Sequence, residues 1–258
     1  MQSLRTARQR TLAVLAGVLV AIPLAPVPAA SAATATAQPA AASLSKLSPV
    51  AGLVNGGAVV TITGKNFTGT SAVAFGGVPA AKYQVVSSTK ITAIAPKLAA
   101  GTHRISVTTA AGTTTAAKFT VRTFEQEVLR LTNEARSTKR KCGSKTYRAA
   151  KPLRSDATLA RVAAAHSADM AAREYFSHNS TNGRTPFDRI KAAGYRYSSA
   201  GENIAAGFRT PNSVVTAWLK SPGHCKNIMN RSFTELGVGY ADGGYYGSYW
   251  TQDFGKPR

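Results

Sequence analysis

The sequence predicts a two-domain protein, an all-β sandwich followed by an α+β domain, behind an export leader. Three observations predict this architecture. A basic and then apolar segment opens the chain, short β-branched segments separated by turn residues follow, and capped amphipathic helices precede two C-terminal strand segments. We expect a signal peptide at residues 1–32, a disordered spacer at 33–43, the sandwich at 44–122 and the second domain at 123–258.

The first 32 residues have the composition of a secretory leader. Arg5, Arg8 and Arg10 form a basic segment, residues 12–24 are apolar, and Ala30-Ser31-Ala32 supplies the small residues of a cleavage site. The apolar run is short for a membrane span, which needs about 18 apolar residues or more. We therefore expect a secreted, extracellular protein without a transmembrane segment.

The chain is strongly basic. It carries 32 Lys and Arg against 11 Asp and Glu, a net charge of +21, and removal of the three leader arginines leaves +18. An exported cation of this kind meets anionic wall polymers, phospholipid headgroups or extracellular nucleic acid. Simple solubility is the alternative interpretation of the same charge.

Cys142 and Cys225 are the two cysteines. Outside the cytoplasm such a pair tends to oxidise, so we expect a disulfide in preference to two buried thiols. The bond would close a loop of 83 residues, the difference between the two positions. On a chain-entropy model this stabilises the fold by about 4–5 kcal/mol.

Residues 44–122 have the pattern of a β-sandwich. Short β-branched segments lie at residues 59–63, 73–75, 83–86, 90–94 and 104–108, separated by Gly, Asn and Pro. The segment resembles an IPT/TIG domain. The residues that carry this resemblance are Leu47-Ser48-Pro49, Gly52, Gly56-Gly57, Val60-Thr61-Ile62-Thr63-Gly64, Asn66-Phe67, Val73, Phe75-Gly76-Gly77, Ala80, Pro96, Gly101 and Phe119. The resemblance implies an immunoglobulin-like sandwich that acts as a spacer or binding module.

From Thr123 onward the pattern becomes helical. Thr123 and Gln126 fit a capping box, and Asp156, Thr185, Thr210 and Ser221 are the next predicted helix starts. Segments 236–240 and 245–254 flank Gly243-Gly244 and predict a β-hairpin. Helices followed by strands favour an α+β arrangement.

This second segment resembles the CAP superfamily of cysteine-rich secretory, antigen 5 and pathogenesis-related proteins, in its bacterial form. The matching residues are Asn133-Glu134-Ala135-Arg136, Pro152-Leu153, His166-Ser167-Ala168-Asp169-Met170-Ala171, Phe176-Ser177-His178, Gly201-Glu202-Asn203-Ile204-Ala205, Trp218, Ser221-Pro222-Gly223-His224, Asn227-Ile228-Met229 and Gly237-Val238-Gly239-Tyr240. The resemblance implies an α-β-α sandwich with a cleft lined by two histidines and two acids.

Three residues match that cleft: His178, Glu202 and His224. At the fourth position, where many eukaryotic relatives carry an acid, this chain has Ser221, and Glu235 is a candidate substitute. His224 would lie in the first turn of a helix, whose dipole disfavours protonation of the ring. His166 falls on an apolar helix stripe and is predicted to be a core histidine.

The same residues support two kinds of chemistry. Neutral imidazoles from His178 and His224 suit a divalent metal such as zinc, with Glu202 as ligand or general base. The alternative is a hydrogen-bonded polar cluster that holds helices together. The chain has no G-x-S-x-G motif, and Glu202 is the only credible carboxylate for glycoside hydrolysis, which needs two.

The sequence therefore favours a secreted binding protein over an enzyme, with no cofactor required. Its expected partner is a cell-wall polymer, a lipid or an extracellular protein, and the sandwich would be a spacer or adhesion module. A metal-dependent hydrolase using the same cleft is the first alternative. The second is a salt-sensitive polyanion binder that uses the basic loop 136–154. The loop residues assigned to this role are Lys139, Arg140, Lys141, Lys145 and Arg148.

Overall fold

The N-terminal half of the described chain folds as two facing β-sheets. The computed structural model describes residues 38–258, so the predicted signal peptide and residues 33–37 of the predicted spacer lie outside the described residues. The strands of this domain are β1 (Ser43–Ser48), β2 (Ala51–Leu53), β3 (Val59–Lys65), β4 (Ala72–Phe75), β5 (Val78–Pro79), β6 (Lys82–Ser87), β7 (Lys90–Ile94), β8 (Gly101–Thr109) and β9 (Gly112–Arg122).

One sheet has the order β1-β3-β7-β6 and the other the order β2-β9-β8-β4-β5. Alternate residues of their strands enter a shared core, as Val60 and Ile62 of β3 do opposite Phe75 and Phe119. The five predicted strands are present, whereas β1, β2, β5 and β9 were not predicted. The ordered chain also begins before residue 44, because Ala42 is buried and its carbonyl accepts a hydrogen bond from Thr114.

The second domain contains five helices, four of them begun by a side-chain cap. The helices are α1 (Phe124–Arg136), α2 (Ala157–Ala172), α3 (Pro186–Ala192), α4 (Pro211–Lys220) and α5 (Pro222–Ile228). Thr123, Asp156, Thr185 and Thr210 accept a backbone hydrogen bond from the first turn of their helices, as predicted. The strands of this domain are β10 (Arg140–Cys142), β11 (Lys145–Tyr147), β12 (Arg154–Ser155), β13 (Tyr197–Ala206), β14 (Glu235–Asp242) and β15 (Ser248–Pro257).

A four-stranded sheet of order β12-β14-β15-β13 lies between two helical layers. On one face, a Cβ at Gly237 or Gly239 would fall within 2.0–2.4 Å of the backbone of α2, so only glycine permits this close approach. On the other face, Gln252 of β15 donates to Thr132 of α1, and Trp218 of α4 donates to the carbonyl of Ile204. Helices therefore pack on both faces of this sheet.

The predicted basic loop contains a short hairpin, β10–β11, which Cys142 joins to α5 through a disulfide with Cys225. The structure removes Arg136 from the set of basic loop residues available to a ligand. Its side chain is buried and donates to the carbonyls of residues 151, 228, 230 and 233. Burial lowers the pKa of Arg136 to about 10, and the residue joins α1 to the chain after α5.

Within residues 38–258, none of the helices combines the length and apolar character that crossing a bilayer requires.

Candidate functional site

Glu202 is the centre of the polar site, on the edge strand β13. The sequence analysis did not predict this strand, because residues 197–206 contain one β-branched residue among Ser, Ala, Gly and Asn. Nine register pairs with β15 nevertheless place it, including Glu202 opposite Asp253. The Glu202 side chain is only 2% exposed, so its carboxylate needs partners inside the protein.

Both carboxylate oxygens of Glu202 have a partner. Oε1 lies 2.6 Å from Nδ1 of His178, and Oε2 accepts a hydrogen bond of 2.5 Å from Nη2 of Arg189. The Arg189 side chain is 11% exposed and that of His178 is 50% exposed. The site therefore has a buried anionic centre, a buried cation beneath it and an imidazole that reaches solvent.

Arg189 was not predicted as a site residue, although it organises the segment that carries His178. Its Nη1 donates to the carbonyls of His178 and Arg184 and to the hydroxyl of Ser180, at 2.8, 3.2 and 3.2 Å. Helix α3, begun by the predicted Thr185-Pro186 cap, presents the arginine. In the sequence, the signal for this role was the position of Arg189, a basic residue one turn into a capped helix and close to His178 along the chain.

His224 approaches the site from α5. Asn203 of β13 donates to its carbonyl at 3.2 Å, and Asn227 donates to the carbonyl of Glu202 at 3.1 Å, so amide side chains join the helix to the edge strand. Burial, and then the charge of His178, lower the pKa of His224. Both effects favour the neutral ring, and burial, not the helix dipole considered in the sequence analysis, is the leading physical cause.

Asp253 is an acidic residue of this cluster that the sequence analysis missed. It is fully buried opposite Glu202, and neither carboxyl oxygen has a hydrogen-bond partner among the described residues. Burial first, and then the charge of Glu202, raise the pKa of Asp253 well above its ordinary value, so it is held in the neutral form. In the sequence, the signal for Asp253 was a single carboxyl in the otherwise uncharged segment 248–255.

Two other candidates for the fourth position lie elsewhere. Glu235 accepts a 2.6 Å hydrogen bond from the hydroxyl of Tyr195, on the opposite side of β15 from Glu202. Ser221 is the residue before α5 and makes no side-chain cap. The acid paired across the strands with Glu202 is therefore Asp253, which is too deeply buried to contact a ligand.

His166 is buried on α2. Its Nε2 lies 3.0 Å from the carbonyl of Ser177, its ring packs edge-on to Tyr175, and burial lowers its pKa. This placement agrees with a core histidine that supports the segment before His178.

The donor set does not fit a zinc ion. The carboxylate of Glu202 is engaged by the Arg189 cation, and Nδ1 of His178 is engaged by Glu202. A guanidinium in contact with the carboxylate opposes a divalent cation at the same place. Within residues 38–258, no three His, Cys, Asp or Glu side chains are grouped as metal ligands would be. Neither a metal-bound water nor a metal-dependent step follows from this arrangement.

The predicted polyanion residues lie on and beside the β10–β11 hairpin. Lys139, Lys141, Lys145 and Arg148 are exposed, whereas Arg140 is half-buried. Gly143, at the hairpin turn, lies against Pro222 of α5. The hairpin and its disulfide are therefore beside the helix that carries His224.

Family models match two consecutive segments of the described chain. Residues 129–254 match the model of the cysteine-rich secretory protein family, CAP, and residues 42–121 match the IPT/TIG domain. Uncharacterized protein YkwD of Bacillus subtilis (strain 168) is 45% identical over 142 residues, 55% of this chain and 51% of the relative. Uncharacterized membrane protein YlbC of the same organism is 37% identical over 134 residues, 52% of this chain and 35% of the relative. The chain thus spans about half, or less, of these relatives.

Among solved structures, an extracellular SCP-domain protein from Bacillus anthracis str. Ames is 36% identical, with a TM-score of 0.42 over 51% of this chain and 40% of the other. An outer surface protein from Borrelia burgdorferi is 23% identical, with a TM-score of 0.42 over 52% of this chain and 89% of the other.

Proposed function

From the premise that this chain belongs to the CAP family through residues 129–254 and carries an IPT/TIG domain before it, we propose that it is an extracellular binding protein. Its ligand contacts the cleft formed by His178, Glu202 and His224, and the IPT/TIG domain acts as a spacer or adhesion module. The disulfide and the leader composition support an extracellular location.

The observation that carries this proposal is the complete engagement of Glu202. Each oxygen of this carboxylate already accepts a hydrogen bond, from His178 or Arg189, and the side chain is only 2% exposed, so Glu202 is better placed to orient its neighbours than to react with a ligand. Glu202 instead orients His178. Because Nδ1 is engaged by Glu202, Nε2 of the half-exposed ring is the nitrogen left to form a hydrogen bond with a ligand.

The chemistry of the cleft favours a polar ligand over an acyl chain. Its groups are imidazole, carboxylate and guanidinium, and covering them with a lipid tail would leave their hydrogen bonds unmade. A wall polymer offers hydroxyl and amide groups that can form hydrogen bonds with the rings of His178 and His224. The proposed ligand is therefore a polar cell-wall polymer.

Co-sedimentation with purified Gram-positive peptidoglycan sacculi tests this proposal. We expect the protein from residue 33 onward to sediment with sacculi, and a His178→Ala/His224→Ala variant to bind at least about tenfold more weakly, a loss of about 1.4 kcal/mol. His103→Ala is the matched control, because His103 lies on β8 of the sandwich. Equal retention of the double variant and the wild type, both folded by circular dichroism, would contradict the proposal.

A second candidate function is polyanion binding by the β10–β11 hairpin. Its support is the group of exposed cations Lys139, Lys141, Lys145 and Arg148, held against α5. Salt separates the two modes. Polyanion binding should disappear near 1 M NaCl, where the Debye length is about 3 Å, whereas hydrogen bonding in the cleft should persist.

The hydrolase alternative receives less support from the same contacts. Its base is poorly supplied by the carboxylates, because Glu202 already accepts two hydrogen bonds and Asp253 is buried and held neutral, so it would have to use one of the two imidazoles.

A further inference from the structure

We propose that the groove between the two domains is a second binding site, for a neutral oligosaccharide. The groove has a volume of about 710 Å³, within the range of about 300–1,000 Å³ typical of small-molecule sites. Asn55 enters it from the sandwich, while Phe124, Glu125, Arg209, Asp242 and Tyr246 enter it from the CAP domain. The site therefore exists only where both domains are joined.

Aromatic rings form one wall of the groove, and their neighbours fix them in place. Phe124 stacks on Trp250 at 5.8 Å and meets Tyr240 edge-on at 4.9 Å. Tyr246 is 47% exposed and packs edge-on against the buried Tyr249 at 5.8 Å. Rings held this way offer flat apolar surface at little cost in conformational entropy.

The groove also contains hydrogen-bonding side chains of both kinds. Glu125 and Asp242 are acceptors, Arg209 is a donor and Asn55 is both. Within residues 38–258, the side chains of Asn55, Glu125 and Arg209 have no hydrogen bond to another protein group, and Asp242 accepts one from Tyr240 at 3.3 Å. These groups are available to a ligand.

Flat apolar surface beside unused donors and acceptors matches the chemistry of a sugar ring. A pyranose has faces of C–H groups that pack on aromatic rings, and a rim of hydroxyls that both donate and accept. A lipid tail would displace the water that hydrogen-bonds to the carboxylates and would offer no hydrogen-bond donors in its place.

Local charge selects a neutral ligand. Glu125 and Asp242 give the groove two negative charges against the one positive charge of Arg209, in a protein whose net charge is +21. The two carboxylates disfavour a polyanion and the guanidinium offsets one of their charges, so a neutral saccharide enters the groove without charge repulsion and finds donors and acceptors of both kinds.

Isothermal titration calorimetry on the full chain from residue 33 tests the inference, with tetra-N-acetylchitotetraose and cellotetraose as probes. We expect one of the two to bind, and Tyr246→Ala to weaken that binding by roughly tenfold or more. Phe187→Ala is the matched control. Phe187 is an aromatic of similar exposure, 42%, but lies on α3 outside the groove, so its loss should change affinity by less than about twofold.

Glu125→Ala provides a second test of the same wall and should also weaken binding, since it removes an acceptor. Three results would overturn the inference: no binding of either saccharide at millimolar concentration, binding of choline chloride in their place, or equal losses for Tyr246→Ala and Phe187→Ala. The His178→Ala/His224→Ala variant should retain saccharide binding in the groove. Failure of this inference is thereby distinguished from failure of the proposed cleft function.

Discussion

Replacing Glu202 with glutamine is the sharpest perturbation of the polar site. The substitution preserves the shape of the side chain and removes the charge that two donors approach. Arg189 then has a cationic side chain, only 11% exposed, facing a neutral amide. Burial, the first cause of the raised pKa of Asp253, persists in the variant and opposes ionisation of this second carboxyl, although the charge of Glu202, the second cause, is lost.

The magnitude follows from the two contacts of Glu202. A hydrogen bond to a charged group contributes about 1.5–3 kcal/mol, and the contact with Arg189 keeps most of that value because it is buried. His178 is half-exposed, so solvent screening reduces its contact to about 1 kcal/mol or less. We expect Glu202→Gln to lower the free energy of unfolding by about 3 kcal/mol at pH 7.

Urea denaturation followed by circular dichroism measures this difference. The matched control is Glu134→Gln, because Glu134 also pairs with an arginine, Arg130, but its side chain is 66% exposed. The control should change stability by less than about 1 kcal/mol. If Glu202→Gln costs no more than Glu134→Gln, then Glu202 is not the buried anchor of the site and the reasoning is refuted.

Three further predictions use the same assay. Arg136→Lys should destabilise the fold by about 2–4 kcal/mol, because a single ammonium replaces a guanidinium bound to four carbonyls, and it should leave heparin affinity unchanged. A Cys142→Ser/Cys225→Ser variant should lose about 4–5 kcal/mol for a disulfide spanning 83 residues, and a loss under 1 kcal/mol would refute the chain-entropy argument. Burial lowers the pKa of His166 and His224, so below about pH 6.5 the unfolded state binds more protons at these rings, whereas the raised pKa of Asp253 has the opposite effect; in an Asp253→Asn variant stability should therefore fall as pH drops from 7.5 to 5.5, and a flat profile would contradict neutral rings.

The sequence by itself determined the features that depend on local chemistry. Capping residues Thr123, Asp156, Thr185 and Thr210 begin their helices, because a side-chain acceptor followed by an amphipathic run satisfies the first backbone amides wherever the helix packs. Alternating β-branched segments predicted five strands of the sandwich, because alternation of polar and apolar residues is a local property that a strand with one buried face requires. Motif spacing likewise predicted the two families whose models match the chain.

Only the tertiary structure decided what each polar side chain faces. Strand β13 has weak local strand propensity and forms because β15 supplies its hydrogen bonds, so neither the strand nor the pairing of Glu202 with Asp253 was evident in the sequence. Arg136 and Arg189 are ordinary basic residues in the sequence, yet burial makes one a structural link and the other the partner of Glu202. Charge and residue type are local properties, whereas desolvation and partner choice depend on segments far apart in the chain, and these decide which ionisable groups form the site.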